Sequence, residues 1–261
     1  MHEWGEDIVT GLDSTDADIR DAQRVQRVVQ ETRPEWIVLA AAYTNVDGCE
    51  GNPELAFAVN RDGPVNVANA ANAFGARLLF ISSDYVFDGT NTKPYDSNAV
   101  RNPQSVYGRT KAEAELKLLE LMPDCCIVRT SWLFGTGGKC FPDTILKLAA
   151  QRSELDVVND QRGCPTYAVD LAIAISHLCR KNATGIVHAT NAGDCTWFEF
   201  AEQIIKKAGL STTVRPVSSK QMARPAPRPA YSVLSAASLH RLGITMPPWQ
   251  DALARYLKER G

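Results

Sequence analysis

The segment Arg77–Phe87, RLLFISSDYVF, decides the fold class. Its apolar run, Leu78 to Ile81, suits a strand buried on both faces, and such strands belong to parallel sheets covered by helices. At Ser82 the run turns polar. Ser82, Ser83 and Asp84 therefore stand at the carboxyl end of a strand, where open α/β sheets bind their ligands.

Working outward from this strand, apolar runs alternate with stretches of helical period. EWIVLAAA (35–42), CCIVRTSWLFG (125–135) and GIVHATN (185–191) read as further strands. AQRVQRVVQET (22–32), with Val25, Val28 and Val29 on one face, NPELAFAV (52–59), VNVANAANAFG (65–75) with Gly75 as a stop signal, and SVYGRTKAEAELKLLELM (105–122) read as helices. DIVTGLD (7–13) reads as a short strand. Beyond about residue 140 the strands are shorter and bracketed by proline. PTYAVDLAIAISHLCRK (165–181) reads as a helix returning to the sheet. TWFEFAEQIIKKAGL (196–210) opens with Thr196 and Glu199 in capping-box spacing, ARPAPRPAYS (223–232) is too rich in proline for a helix or central strand, and WQDALARYLKER (249–260) is an amphipathic helix.

The fold class is α/β, a Rossmann-like doubly wound parallel sheet with a smaller C-terminal substrate-binding α/β lobe. The division is 1–139 plus about 166–191 for the dinucleotide-binding domain, and about 140–165 plus 192–261 for the second lobe.

A chain of 261 residues that is 44% hydrophobic can bury a large core. Its net charge of −2, without a basic block, excludes a nucleic-acid or membrane surface and favours a small-molecule partner. No apolar run reaches the roughly 20 residues of a membrane span, and no leader precedes the first strand, so a cytoplasmic protein is expected. The seven cysteines form no CxxC pair, and Cys125 and Cys126, adjacent on a strand, should point to opposite faces. No metal site is assigned.

In SVYGRTK, Tyr107 and Lys111 are four residues apart and share one helix face. A cation beside a phenol favours its phenolate and suits it to acid-base work at a carbonyl. Taken alone, the spacing describes a solvated helix face equally well. The small hydroxyls at Ser82 and Ser83, and the small residues of AAAYTNVD (40–47), add two strand ends to which a ligand can come close.

SSDYVFDG, SVYGRTK, RTSW, DQRGCPT and RPAYSVL, in this order and spacing, resemble the extended short-chain dehydrogenase/reductases, and among them the dTDP-4-dehydrorhamnose reductases. The resemblance runs from about Asp7 to the last helix. It implies reduction of the C4 ketone of a dTDP-4-dehydro-6-deoxy sugar to dTDP-L-rhamnose. Tyr107 would be the proton donor, Lys111 would lower the tyrosine pKa and bind the nicotinamide ribose, and Ser83 would bond the substrate oxygen. It also implies cofactor contacts at Ala41, Ala42, Tyr43, Thr44 and Asn60, and substrate contacts at Asp84, Tyr85, Trp132, Arg224 and Arg228. NADPH or NADH would be the cofactor. Asp13, at the end of what aligns with the family's second strand, favours NADH, whereas the resemblance suggests NADPH, or both. Magnesium and a homodimer are implied by resemblance alone. Two alternatives stand beside this reading: a sugar-nucleotide epimerase or dehydratase of the same superfamily, and a non-catalytic regulatory subunit like that of methionine adenosyltransferase.

One departure from the family is at the front. The GxxGxxG turn that cradles a dinucleotide pyrophosphate is not in this sequence, and Gly5 and Gly11 are too isolated to replace it. The expectation is an incomplete sequence lacking the first, central strand, with weak or no dinucleotide binding by the chain as written. A shortened relative and a chain completed by a separate segment are the other two accounts.

Overall fold

A computed structural model of the chain describes residues 8–260. In chain order the elements begin α1 (Ala22–Thr32), β1 (Trp36–Leu39), α2 (Val46–Gly51), α3 (Pro53–Phe57), a π-helical turn (Ala58–Asp62), α4 (Gly63–Phe74), β2 (Arg77–Ser83), a 3₁₀ turn (Asp84–Val86), α5 (Val106–Leu121) and β3 (Cys126–Thr130). They continue β4 (Leu133–Phe134), α6 (Phe141–Ala149), β5 (Glu154–Val158), β6 (Arg162–Gly163), β7 (Thr166–Tyr167), α7 (Ala168–Arg180) and β8 (Gly185–His188). Last come β9 (Cys195–Thr196), α8 (Trp197–Lys207), β10 (Thr213–Val217), α9 (Ser219–Met222), α10 (Ala237–Arg241) and α11 (Trp249–Arg260).

The main sheet is parallel, in the order β1-β2-β3-β8. Successive side chains on a strand face opposite ways, so the sheet builds two cores. Leu78, Phe80, Cys125 and Ile127 pack with Val25, Val29, Val67, Ala114 and Leu118 from α1, α4 and α5. Leu79, Cys126, Val128 and Val187 pack with Leu171, Ala174 and Leu178 of α7 and Leu239 of α10. The adjacent cysteines 125 and 126 thus do fall on opposite faces. A third cluster, rich in aromatics, gathers Phe134, Tyr167, Phe200, Trp249 and Tyr256 around β5 and the helices α6, α8 and α11.

Local signals fix most helix ends. Asp21 caps α1 by accepting from Arg24 N, and Gly75 ends α4 in a left-handed conformation, φ 72°. The Thr196–Glu199 capping box forms at α8 with both bonds made. The proline-rich segment 223–232 is irregular, as its composition demands.

The expected first strand is overturned over its described residues, 8–13, which form no strand. Ile8, Val9 and Leu12 are exposed, and Asp7 lies outside the described residues. A strand is held by neighbours, and among the described residues β1 pairs on one side only, with β2. Among the described residues nothing pairs with 8–13, so their apolar alternation joins no sheet. Among the described residues no helix is long and apolar enough to cross a membrane.

Candidate active site

Ser83 ends β2 and caps the 3₁₀ turn: its Oγ accepts from Tyr85 N at 3.2 Å and donates to Asp84 Oδ1 at 3.0 Å. Tyr107 lies at the start of α5, with the Ser83 hydroxyl acting on its phenol. Three contacts set that helix start in place. Ser105 accepts from Gly108 N at 3.1 Å, and Glu50 of α2 accepts from Val106 N at 2.7 Å. A side chain at Gly108 would put its Cβ 2.2 Å from the Tyr85 carbonyl oxygen. Only glycine lets the helix and the turn come this close. The Tyr85 and Tyr107 rings then meet edge to face, 5.5 Å apart.

Lys111 is buried one turn beyond Tyr107. Its Nζ donates to the Ile81 carbonyl at 2.6 Å and lies 4.0 Å from the centre of the Phe80 ring. Burial pulls its pKa down to about 7, with Glu115 working against the shift. Burial pushes the Tyr107 phenol up to about 12, and the Ser83 hydroxyl is what opposes it. The expectation that Lys111 lowers the tyrosine is therefore corrected. The ammonium is committed to the strand carbonyl and an aromatic face, and its charge partner is Glu115. Asp84, fully buried, is pushed up to about 6 by burial against the pull of the Ser232 and Ser83 hydroxyls.

The loop after β1, residues 41–44, is tied to α5 by Asn60. The Asn60 side chain accepts from Tyr43 N at 2.7 Å and donates to Tyr43 O at 3.0 Å and to Thr110 Oγ1 at 3.2 Å. Thr110 Oγ1 donates to the Tyr107 carbonyl at 2.7 Å. Asn60 sits in the π-helical turn, the kind of local irregularity that gathers at functional sites. Ala41 and Thr44 are exposed beside it, at the carboxyl end of β1.

On the other side, Trp132 adopts a left-handed conformation, φ 47°, and stacks on Trp197 at 3.5 Å. Gly163 leaves room for its ring, since a Cβ there would fall 2.6 Å from the indole. Arg228 forms a two-pronged ion pair with Asp47 at 3.0 and 2.9 Å, and Asp47 also accepts from Ala226 N at 3.1 Å. Both Arg224 and Arg228 act on the Tyr85 phenol, which burial holds above its ordinary value. Asp13 is spent locally: its carboxylate accepts from Thr15 N and Thr15 Oγ1. Among the described residues no three His, Cys, Asp or Glu side chains gather as a metal site.

The sequence reading missed the buried charge network beneath the site. Glu115 Oε1 accepts from Ser82 Oγ at 2.5 Å and Arg129 Nε at 2.9 Å, and its Oε2 accepts from Arg129 at 2.6 Å and Arg101 at 2.5 Å. Arg129 also donates to Ser97 O at 3.1 Å and meets His188 Nε2 at 3.3 Å. Burial and the Arg129 cation hold His188 down to about 3, neutral at working pH. Two signals were present: an arginine inside the apolar strand CCIVRT, which burial obliges to find a partner, and the Lys111–Glu115 spacing of four.

Comparison with known proteins agrees with this geometry. The family described as RmlD substrate binding domain matches residues 2–261. The spore coat polysaccharide biosynthesis protein SpsK of Bacillus subtilis is 40% identical over 242 residues, covering 93% of this chain and 85% of its own. The dTDP-4-dehydrorhamnose reductase of Streptomyces griseus is 41% identical over 253 residues, covering 94% and 83%. The dTDP-4-dehydrorhamnose reductase of Bacillus anthracis, solved in complex with NADP, superposes with a TM-score of 0.94 at 39% identity, covering 98% of this chain and 94% of that one. With Ser83, Tyr107 and Lys111 drawn to one strand end of a parallel sheet and relatives of this kind along nearly all its length, the chain belongs to the RmlD family of dTDP-4-dehydrorhamnose reductases.

Proposed function

We propose that this chain reduces the C4 ketone of dTDP-4-dehydrorhamnose to the C4 alcohol of dTDP-L-rhamnose with NADPH. The observation that carries this is the Tyr107 phenol set where the Ser83 hydroxyl acts on it, at the carboxyl end of β2. Two of the proteins it resembles at about 40% identity, from Streptomyces griseus and Bacillus anthracis, bear the reductase name, and the second was solved with NADP. Asp13, its carboxylate engaged by Thr15, gives no separate support to NADH.

The nicotinamide end of the cofactor fits the residues present. Lys111 spends one of its three donors on Ile81 O and keeps two for ribose hydroxyls. The small Ala41 and Ala42 let a flat ring approach the backbone, with Tyr43 fixed by Asn60. Bound there, the cofactor supplies a hydride to C4. Ser83 donates a hydrogen bond to the C4 oxygen and fixes its place beside the phenol. Tyr107, held near 12, keeps its proton until negative charge develops on that oxygen, and then gives it up from Oη. Asp84, Tyr85 and Trp132 line the sugar side, and Arg224 meets the diphosphate with a planar donor fork, whereas the fork of Arg228 is spent on Asp47. Residues 1–139 with about 166–191 would hold the dinucleotide, and about 140–165 with 192–261 the sugar nucleotide.

The test is NADPH consumption with dTDP-4-dehydrorhamnose, by the chain as written and by a version preceded by a strand and a GxxGxxG turn. Tyr107→Phe should lower turnover by about 10²–10⁴-fold, the usual contribution of a positioned proton donor, without changing the melting temperature by more than a degree or two. Equal turnover in the variant would overturn the assignment.

A further inference from the structure

Thr130, the last residue of β3, is 6% exposed, and its Oγ1 has no hydrogen-bond partner among the described residues. A buried hydroxyl in this condition has lost its water and gained nothing in return, which destabilises the folded state. Such groups are few in folded proteins, and each calls for a physical reason.

The sheet register supplies one. Thr130 is the partner of Ser83 across the β2–β3 ladder, so the two side chains leave the same face of the sheet from strands about 4.8 Å apart. Nothing follows Thr130 on its strand, and nothing follows Ser83 on its own except the turn that carries Asp84. A second unpartnered oxygen lies in that turn: Asp84 Oδ2, on a residue 2% exposed. Neighbouring hydroxyls are already spoken for. Ser131 Oγ donates to Cys164 O at 2.7 Å, and Ser82 Oγ to Glu115. Two orphaned polar atoms thus flank Ser83, one on each side.

We propose that Thr130 is a ligand-binding residue, its hydroxyl exchanging a hydrogen bond with a polar group of a bound reactant that lies against Ser83. The ligand chemistry is a neutral hydroxyl or amide, which matches a lone threonine better than a phosphate would. On the reductase reading, which this inference extends, two groups have that chemistry: a sugar hydroxyl beside the C4 ketone and the carboxamide of the nicotinamide. The ligand-free protein carries the cost of the unpaired hydroxyl, and binding removes it.

The experiment compares Thr130→Val, which keeps the shape and deletes the hydroxyl, with Thr130→Ser, which keeps the hydroxyl. In the ligand-free protein Thr130→Val should raise the melting temperature, by about 2–4 °C for each kcal/mol relieved. A threonine bonded to structure would give the opposite sign. In turnover, Thr130→Val should raise the KM of one reactant about two- to tenfold, the worth of one ordinary hydrogen bond, and Thr130→Ser should restore it. A rise for the sugar nucleotide identifies the sugar hydroxyl, and a rise for NADPH the carboxamide. A lowered melting temperature, or both KM values unchanged, overturns the proposal. Absence of turnover in the unsubstituted enzyme would count against the reductase reading instead, and the melting arm would still decide whether Thr130 is unpaired.

Discussion

The carboxyl end of the main sheet and the aromatic cluster around α8 are both buried, but they hold together by different means. Around β2, β3 and α5 the chain buries Glu115, Arg129, Lys111 and Asp84, and places them with directed bonds. Around α8 it buries Phe134, Phe200, Trp249 and Tyr256, whose rings meet at 5.5–5.6 Å with no fixed orientation, from 58° to 83° between planes. Apolar packing gives stability and tolerates adjustment. Directed bonds between buried charges give little net stability, yet they specify atomic positions, which a proton transfer needs.

The largest expected effects test this contrast directly. Phe200→Ala and Glu115→Ala should each cost about 3–5 kcal/mol in denaturant unfolding, one by leaving a cavity and the other by stranding the Arg129 charge. Their repairs should differ. Adding Arg129→Met to Glu115→Leu should recover most of the lost stability while turnover stays low, because the apolar pair replaces the charges but no longer orients Ser82. Continued low stability in that double variant would remove the contrast.

Smaller is the effect at Lys111. Its pKa falls from 10.5 to about 7 on folding, so the folded state binds fewer protons between those values and gains stability as pH rises through the window. The burial cost is present in full below about 7 and is gone above 10.5. Lys111→Met should therefore raise the melting temperature most at pH 6, less at pH 9, and abolish turnover. An equal gain at both pH values would show that the ammonium is not the source. Smallest is Thr196→Ala in the α8 capping box, about 1 kcal/mol with turnover unchanged.

The same contrast explains what the sequence revealed. Helices Ala22–Thr32 and Trp249–Arg260 were readable at their ends because periodicity and caps are local. Ser83, Tyr107 and Lys111 were readable because strand end and helix start carry them. The residues that fasten the site were not, because each depends on a partner far away in sequence: Ser82 with Glu115, Arg101 and Arg129 with the same carboxylate, Asn60 with Thr110. The strand at 7–13 failed for the converse reason, since alternation describes a strand's faces and says nothing of its neighbours.

The Asp47–Arg228 fork has a consequence for anyone recombining this fold. It joins residues 181 positions apart, so the proline-rich loop 223–232 is fastened to α2. A hybrid that borrows everything after residue 222 from a relative would keep Asp47 but lose Arg228, and would leave the aspartate without its partner unless the borrowed piece also carries an arginine there. The two distant pieces are thus exchanged together or not at all.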